Sequence, residues 1–332
     1  MTVVILALLG VGALALVVVV VPGGGSAPTW QHPFSTSSVF NSPIRALPRL
    51  DSHSSQITAL LADSDAAHVA IYGEFGVPVY RADSSTPRYK LEITNQPAWG
   101  INSLSRQRVP IPQHAVPAPG GDGKLVVVDE GDRKVFDLWQ AREVDGRWRA
   151  SWGGVYDLDG NGSSPNPLYV RQPRRPPRFA SRATGSGIST LAGLVRLSDV
   201  RRGRIDHALV FATDLVCGPA QSGPFRFPAT TTDGHVIGGP CIPEGTWVQL
   251  DPKIDVNAIK GASPIERMVA RALQRYGAFC TDNGGARMAI PFERPAGGTS
   301  STYAHAGLSH GSTLLSAIPW GSLRVLSAPS SE

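Results

Sequence analysis

The chain has 332 residues, of which 42% are hydrophobic, and its formal net charge is +5. This apolar content is enough for a large core and excludes a chain that is disordered by composition. The 36 glycines and 28 prolines favour many short strands joined by tight turns over a helical protein. The composition therefore predicts an all-β globular protein.

The N-terminal segment is an uncharged apolar run from Thr2 to Val21, followed by Pro22 and several small residues. Such a run is long enough to span a bilayer, whereas the apolar part of a signal peptide usually has about 7–15 residues. The small residues after it also suit a signal peptidase, so a membrane anchor and a cleaved signal are both open. Either one predicts export, and the protein is expected outside the cell or at its surface.

Composition divides the chain into four parts. Residues 1–22 form the signal or anchor segment, 23–33 a linker, and 34–295 one domain. Residues 296–332 form a Gly- and Ser-rich tail, predicted to be loosely ordered apart from a final strand. The predicted fold is a single β-sandwich, jelly-roll-like, with one or two short packed helices.

The predicted elements begin with a short helix over Ser54 to Leu61, capped by Ser54 or Ser55. The chain then alternates or runs apolar in short stretches, which predicts a meander of strands. In chain order these strands are His68 to Tyr80 with an interruption at Gly73 to Gly76, Tyr89 to Thr94, Lys124 to Asp129, Val135 to Val144, Trp148 to Tyr156, Arg204 to Ala212 and Ser322 to Leu326.

A hairpin is predicted at Asp145-Gly146, because an Asp-Gly pair between two alternating runs is typical of a two-residue type I′ turn. If Val144 pairs with Arg147, the same register places Trp139 opposite Trp152.

Asp137 lies two residues from Trp139 on the same predicted face, and Gln140 follows it. Flat indoles beside a carboxylate suit a glycan-binding cleft, with Asp137 as a catalytic candidate and Trp139, Trp152 and Gln140 as substrate contacts. Two inward-facing tryptophans are also ordinary sandwich core, and the sequence leaves both alternatives open.

A second helix is predicted after Ser263, which caps it. Pro264 suits the first turn, Glu266 completes a capping box, and Gly277 suits the left-handed position after the end. Apolar residues recur at helical spacing between these signals, so the helix is expected to pack on the sheet.

Three cysteines fit an exported protein. Cys217 and Cys241 bracket a loop rich in Gly, Pro and Thr, and they are the expected disulfide in an oxidising compartment. Cys280 is left over in an apolar stretch, where a buried, inert thiol is expected.

Positive charge is concentrated between Pro165 and Ile205, where nine arginines face a single acid, a local balance of +8 against −3 for the remainder. Such a segment suits an anionic glycan or an anionic lipid surface, whereas a Pro-rich solvated loop is the plain alternative. Nucleic acid is not expected as a partner, because no aromatic ladder accompanies the arginines.

Asp157, Asp159 and Asn161 place oxygen side chains at alternate positions, with glycines between and after them, as in the first half of an EF-hand loop. The twelfth position holds Leu168 instead of a bidentate Glu, which excludes an EF-hand. A looser structural Ca²⁺ site and a hydrated turn remain as alternatives, and no cofactor is required.

Arg204, Asp206 and His207 form another polar group on a predicted strand. Arg204 and Asp206 share a face, where they pair or bind substrate, and Asp206 is a catalytic candidate. His207 points with the apolar set, as a core histidine or a general base. Glu74 is a further catalytic candidate, because its aromatic neighbours would raise its pKa if it were buried.

Several phrases of the sequence resemble a broad, largely uncharacterised family of exported bacterial proteins over about Phe34 to Gly285. They are Phe40-Asn41-Ser42-Pro43-Ile44, Lys124 to Asp129, Phe136 to Ala141, Ser151 to Gly154, Gly203 to Leu209, Arg275-Tyr276-Gly277 and Thr281-Asp282-Asn283-Gly284. The resemblance implies a β-sandwich in a glycan-related setting. Tyr276 and Asp282 are further candidate substrate contacts, and a plain turn at Asp282 to Gly285 is the alternative for the latter. It supplies no established catalytic residues.

The resulting hypothesis is an exported carbohydrate-active protein that cleaves an extracellular or cell-wall polysaccharide, as a glycoside hydrolase or a polysaccharide lyase. The expected partners are a polysaccharide, of anionic type if the arginines bind it, and a membrane through the N-terminal segment. A non-catalytic wall-binding or surface-assembly module is the alternative.

Overall fold

The computed structural model describes residues 29–330, apart from positions 31, 64, 97–100, 165–180, 299 and 310. Its helices are α1 (Ser54–Leu61), α2 (Leu197–Arg202), α3 (Pro264–Arg275) and α4 (Ser301–His305). Its strands, in chain order, are β1 (His68–Ile71), β2 (Val79–Ala82), β3 (Arg88–Lys90), β4 (Glu92–Ile93), β5 (Arg108–Pro110), β6 (Leu125–Asp129), β7 (Lys134–Trp139), β8 (Arg142–Val144), β9 (Arg147–Ala150), β10 (Trp152–Asp157), β11 (Leu209–Thr213), β12 (Trp247–Leu250), β13 (Ala278–Asn283), β14 (Met288–Pro291), β15 (Ser312–Leu314) and β16 (Leu323–Leu326).

The strands form four sheets, so the prediction of a mostly β protein is confirmed. The largest has the order β15-β1-β14-β11-β13-β12-β16, and the second has the order β10-β7-β6-β2. Two small sheets contain β3-β5 and β4-β9-β8. Parallel pairs join β1 to β14, β11 to β13 and β2 to β6, which departs from the antiparallel pattern of a jelly roll.

The two large sheets pack against each other and are covered on their outer faces. Alternating residues of β11 and β13 face α1 and α3 on one side and the second sheet on the other, with Phe211 and Cys280 outward and Val210 and Phe279 inward. The second sheet likewise contributes inward residues to the layer between the sheets and outward ones to a core beneath the small sheets. Strands buried on both faces explain why β6 and β11 are apolar up to their last residues, Asp129 and Thr213.

The hairpin register is confirmed. Val144 pairs with Arg147 and Trp139 pairs with Trp152, while the turn residues Asp145 and Gly146 have φ values of 50° and 72°. The strands bend near Gln140, whose φ is 53° and whose backbone N–H donates to Asp122 instead of to the partner strand. The two predicted strands therefore divide between the second sheet and a small one.

The long amphipathic helix α3 is confirmed with its cap. The Ser263 hydroxyl accepts from the Glu266 N–H, the Glu266 carboxylate accepts from the Ser263 N–H, and Gly277 follows the helix with φ of 77°. Helix α1 has the predicted bounds, but a serine cap is wrong. His53 occupies the cap position without a side-chain bond, because the Ser54 hydroxyl accepts from Val325 of β16.

The predicted strand over Arg204 to Ala212 is wrong in its first half. Helix α2 ends at Gly203, whose φ of 70° reverses the chain, and the strand begins only at Leu209. The Ala208 N–H donates to Phe40, outside any sheet. Arg204, Asp206 and His207 consequently lie in a connection, where strand alternation does not apply.

The tail is more ordered than predicted. It contains α4, β15 and the predicted final strand β16, and Tyr303 is buried with its hydroxyl donating to the Glu293 carbonyl. The apolar segment 1–22 and most of the linker 23–33 lie outside the described residues. Among residues 29–330, with the gaps given above, no helix is long and apolar enough to cross a membrane.

Candidate functional site

Polar side chains gather at one end of the layer between the two large sheets. Asp137 comes from β7, Lys124 immediately precedes β6, and Asp282 lies near the end of β13. Asp233 and Glu244 come from the long connection between β11 and β12. The site is therefore assembled from both sheets and one connection.

Asp137 lies at the base of the site and is fully buried. It shares a face of β7 with Val135, which directs it into the layer between the sheets. Its Oδ2 accepts from the Ser189 hydroxyl at 2.9 Å and the Thr190 N–H at 2.6 Å, while Oδ1 has no hydrogen-bond partner within the described part of the chain. Burial raises the pKa of Asp137 to about 6 against these two donors and nearby Lys124.

Asp137 therefore cannot reach a polysaccharide in this structure. The prediction that it is a catalytic residue in contact with substrate is wrong here, because strand alternation directs it inward. Tyr156 stands on the neighbouring strand, and its ring covers Gly154, the residue paired with Asp137. Burial, and then the charge of Asp137, raise the pKa of Tyr156.

Above Asp137, an indole and three charged groups form a connected row. Trp139 is half-buried, and its Nε1 donates to Asp122 Oδ1 at 3.2 Å. Lys124 Nζ lies 3.6 Å from Asp122 Oδ2 and 3.4 Å from Asp282 Oδ2. The two carboxylate oxygens are therefore at most about 7 Å apart, the sum of these distances. Asp122 is 40% exposed and Asp282 is 20% exposed, so solvent reaches the row.

Lys124 is held in its charged form by this row. Burial opposes the charge, but the attraction of Asp282 and Asp122 outweighs burial and raises the pKa of Lys124. A lysine in this state is a cation that orients its neighbours and a poor general base.

Asp282 also belongs to a group of three carboxyls with Asp233 and Glu244, whose oxygens lie within 4.8 Å of one another. Burial raises the pKa of Asp282 although Lys124 opposes the shift. Crowding by protein atoms and the charge of Asp282 raise the pKa of Asp233 to about 7, even though part of that side chain is open to water at the mouth of the site. Burial raises the pKa of Glu244 well above its usual range.

Gly185 stands at the centre of the three carboxyls. Its N–H donates to Asp282 Oδ1 at 3.0 Å. A Cβ added at this position would lie 2.1 Å from Asp233 Oδ1 and 2.7 Å from Glu244 Oε1. Glycine is needed here for the close approach of the backbone to the carboxylates.

The disulfide holds the two acidic loops in place. Cys217 and Cys241 are bonded, as predicted, and Cys280 is free and buried. Cys217 pairs with Val236, and its carbonyl accepts from Thr232 beside Asp233. Cys241 precedes Ile242, which pairs with Val216. Ile242 in turn lies two residues before Glu244. The bridge therefore joins the segment carrying Asp233 to the segment carrying Glu244.

Trp139, Gln140 and Asp282 are the predicted substrate contacts that the structure brings to the site. The Gln140 side chain donates to the Gly121 carbonyl, next to Asp122. Trp152 is only 3% exposed and belongs to the core beneath the small sheets. The prediction of a platform made of two exposed indoles is therefore wrong. For Trp152 the alternative, a tryptophan in the core, is correct.

Other predicted site residues lie elsewhere. Asp206 forms an exposed ion pair with Arg204 at 2.7 Å, and both charges act on Tyr276, which is buried. Within the described residues, no hydrogen bond or ion pair joins Asp206 to Asp137, so these two catalytic candidates do not form a carboxyl pair. Glu74 is exposed and lies close to Gly120, so the burial on which its candidacy depends is not seen.

His207 has both ring nitrogens engaged. Nε2 lies 3.2 Å from Asp199 and Nδ1 lies 2.8 Å from the Ala208 carbonyl, and both of these partners are acceptors. Burial opposes the charge on Asp199, but His207, the Arg196 N–H and Arg202 outweigh it and lower the pKa of Asp199. These contacts tie α2 to the connection that follows it, which is a structural role.

The calcium-like loop does not gather its side chains around one point. Asp157 pairs with Lys134, and Asp159 pairs with Arg133 at 3.0 Å. The Asn161 side chain accepts from the Ser163 N–H of its own turn. The alternative of a hydrated turn describes this loop, and a Ca²⁺ site there is not supported.

Sequence reasoning missed Asp122, Lys124, Gly185, Asp233 and Glu244. Lys124 and Asp122 adjoin a strand that was recognised, but nothing in the local pattern indicates that they face Asp282. Asp233 and Glu244 lie near the cysteines, and the predicted disulfide was the one signal that their loops are held together.

The arginine-rich segment lies partly outside the description. Arg171, Arg174, Arg175 and Arg178 fall in residues 165–180, which are not described. Arg196 is buried and pairs with Glu293, and Arg182 donates to the Gly185 carbonyl within the site. Arg182 and Arg196 therefore serve separate places inside the protein, whereas Arg201, Arg202 and Arg204 are exposed.

Comparison with known proteins adds no relative to this picture. No family model matches the chain, and neither the curated proteins nor the solved structures contain a significant match. The resemblance to exported bacterial proteins therefore stays a prediction.

Proposed function

We propose that this is an exported carbohydrate-active enzyme that hydrolyses an extracellular or cell-wall polysaccharide, with its two large sheets packed as a β-sandwich. The observation that supports this proposal is the row Trp139–Asp122–Lys124–Asp282, which places two solvent-accessible carboxyls beside a half-exposed indole. Indole rings stack on sugar rings, and paired carboxyls about 5–9.5 Å apart are what glycoside hydrolysis requires.

The two carboxyls have different surroundings, which suits different roles. Burial and the charge of Asp122 raise the pKa of Asp282, which favours its protonated form as the general acid. Asp122 accepts from the Trp139 indole and pairs with Lys124, and these contacts orient it as the base or nucleophile. Lys124 is held as a cation, so hydrolysis fits the site better than an elimination that needs a lysine base.

Activity on a panel of neutral and acidic polysaccharides tests this proposal, with reducing ends and ultraviolet absorption of unsaturated ends as the two measurements. We expect reducing ends without unsaturated product, and a loss of about 100-fold or more in kcat for Asp122→Asn and Asp282→Asn. Asp206→Asn is the matched control and should retain activity, because its exposed pair with Arg204 is remote from the row.

Other results would assign the protein differently. Unsaturated product would show a lyase. Binding without cleavage across the panel would support the wall-binding or surface-assembly module, for which the inaccessibility of Asp137 is the specific argument.

The tryptophan pair provides a second test. Trp139→Ala should weaken glycan binding by about 1–3 kcal/mol, by analogy with the stacking of other flat rings on aromatic side chains. Trp152→Ala should instead lower folding stability by about 3–5 kcal/mol, since that side chain is core. Glycan titration measures the binding effect, and denaturant melts measure the stability effect. If Trp139→Ala binds glycan as tightly as the wild-type protein, Trp139 does not stack on sugar.

A further inference from the structure

We propose that Asp233, Glu244 and Asp282 form a binding site for a divalent cation, with Ca²⁺ as the preferred ion. Their carboxylate oxygens lie within 4.8 Å of one another, although the residues come from three separate segments. A point equidistant from three oxygens that are 4.8 Å apart lies about 2.8 Å from each, and Ca²⁺ binds oxygens at about 2.3–2.6 Å. A small inward movement of the side chains therefore allows one ion to contact all three.

Glu244 provides an independent indication of a ligand. It is fully buried, and neither of its carboxylate oxygens has a hydrogen-bond partner among the described residues. The neighbouring Thr232 hydroxyl donates to the Cys217 carbonyl, so its single hydrogen is engaged there. A buried carboxylate without donors is strongly unfavourable unless a cation or a proton compensates it.

The surrounding charge also favours a divalent ion. The site contains five carboxyls, countered by the two cations Lys124 and Arg182. Acids outnumber bases by three, so the site as a whole attracts a cation. All the donors are oxygens, the ligands preferred by Ca²⁺ and Mg²⁺, and the wider spacing favours the larger ion.

Gly185 and the disulfide preorganise the site. The glycine allows Asp233 and Glu244 to approach the same point, and the Cys217–Cys241 bridge joins their segments. Preorganised ligands bind more tightly, because less ordering remains to be done on binding.

The consequence for cleavage rests on the proposed function. Asp282 belongs both to the cluster of three carboxyls with Asp233 and Glu244 and to the row with Asp122. A cation that binds the oxygens of Asp282 removes this residue from the reaction. Ca²⁺ should therefore inhibit hydrolysis with the same concentration dependence as its binding.

The binding test uses the full-length chain in mild detergent, stripped with EDTA and titrated with CaCl₂, with Tm and calorimetric heat as readouts. We expect saturable one-site binding and a rise in Tm of about 5 °C at a hundredfold excess over Kd, reversed by EDTA, with Mg²⁺ weaker. Glu244→Gln and Asp233→Asn should lose at least about tenfold in affinity.

Asp159→Asn is the matched control, because it alters the calcium-like loop and leaves the carboxyl group of three intact. An unchanged Tm on adding Ca²⁺, or a Ca²⁺ response that survives Glu244→Gln but not Asp159→Asn, would overturn the site. Folding of Glu244→Gln is checked by its melt without Ca²⁺.

These experiments distinguish failure of the proposed hydrolysis from failure of the proposed cation site. If Ca²⁺ binds and no polysaccharide is cleaved with or without it, the proposed hydrolysis fails and the cation site stands. If cleavage occurs but Ca²⁺ binds without slowing it, the site stands and inhibition is refuted.

Discussion

Two acidic regions of this protein differ in how they are made. The loop Asp157–Asn161 is contiguous and carries the pattern of a calcium loop, yet its two aspartates pair with Lys134 and Arg133. The group of Asp233, Glu244 and Asp282 has no local pattern, yet its oxygens converge and Glu244 has no donor within the described part of the chain. Side chains left without other partners therefore indicate a ligand site better than their spacing in sequence does.

Gly185→Ala should produce the largest difference between the two regions. Its Cβ would lie 2.1 Å from Asp233 Oδ1 and 2.7 Å from Glu244 Oε1, so both carboxylates must move apart. We expect loss of the Ca²⁺ response and a fall in cleavage of about 100-fold. In Gly160→Ala, the nearest atom is the Asp157 carbonyl at 3.1 Å, and only a small change in stability is expected. Equal behaviour of the two variants in Tm, Ca²⁺ titration and cleavage would contradict the contrast.

Removing the disulfide should affect one region and spare the other. The bridge closes a loop with a sequence separation of 24, which corresponds to about 3.5 kcal/mol of folding stability by loop entropy. The double variant Cys217→Ala/Cys241→Ala should lose about this much in denaturant unfolding, and its Ca²⁺ affinity should fall as well. Retained affinity would show that the acidic loops are ordered without the bridge.

Asp137→Asn tests the buried carboxyl at the bottom of the site through the pH dependence of the unfolding free energy. Since the pKa of Asp137 is raised to about 6 in the folded state, the folded protein binds this proton more tightly than the unfolded chain. Asp137 therefore stabilises the folded state by about 3 kcal/mol in free energy of unfolding below about pH 4, and this stabilisation is lost as the pH rises through about 6. The asparagine variant should lack this slope in unfolding free energy measured from pH 4 to 7. An unchanged slope would assign the titration to another group.

The smallest effect is expected for Asp159→Asn. Its partner Arg133 is one-third exposed and Asp159 is half exposed, so the pair contributes at most about 1 kcal/mol. Denaturant melts at low and high salt measure it. A loss of several kcal/mol would mean that the loop is more than a hydrated turn.

The sequence by itself determined the elements whose signals are local. The Asp145-Gly146 turn fixed the hairpin register, because Asp-Gly favours a two-residue type I′ turn whose twist matches that of the flanking strands. Ser263, Pro264, Glu266 and Gly277 defined α3, because each satisfies or terminates backbone groups within one turn of its own position. The cysteine pair followed from spacing and compartment.

Tertiary structure decided everything that depends on distant partners. It decided that Ser54 serves β16 instead of capping α1, and that Trp152 faces a core while Trp139 borders a carboxylate. It also decided the pairing of parallel strands from far along the chain, and it alone brought Asp122, Lys124, Asp233, Glu244 and Asp282 together. The physical reason is that charge, burial and close approach act through space, whereas sequence patterns report mainly on the neighbours that a residue has along its own helix, strand or turn.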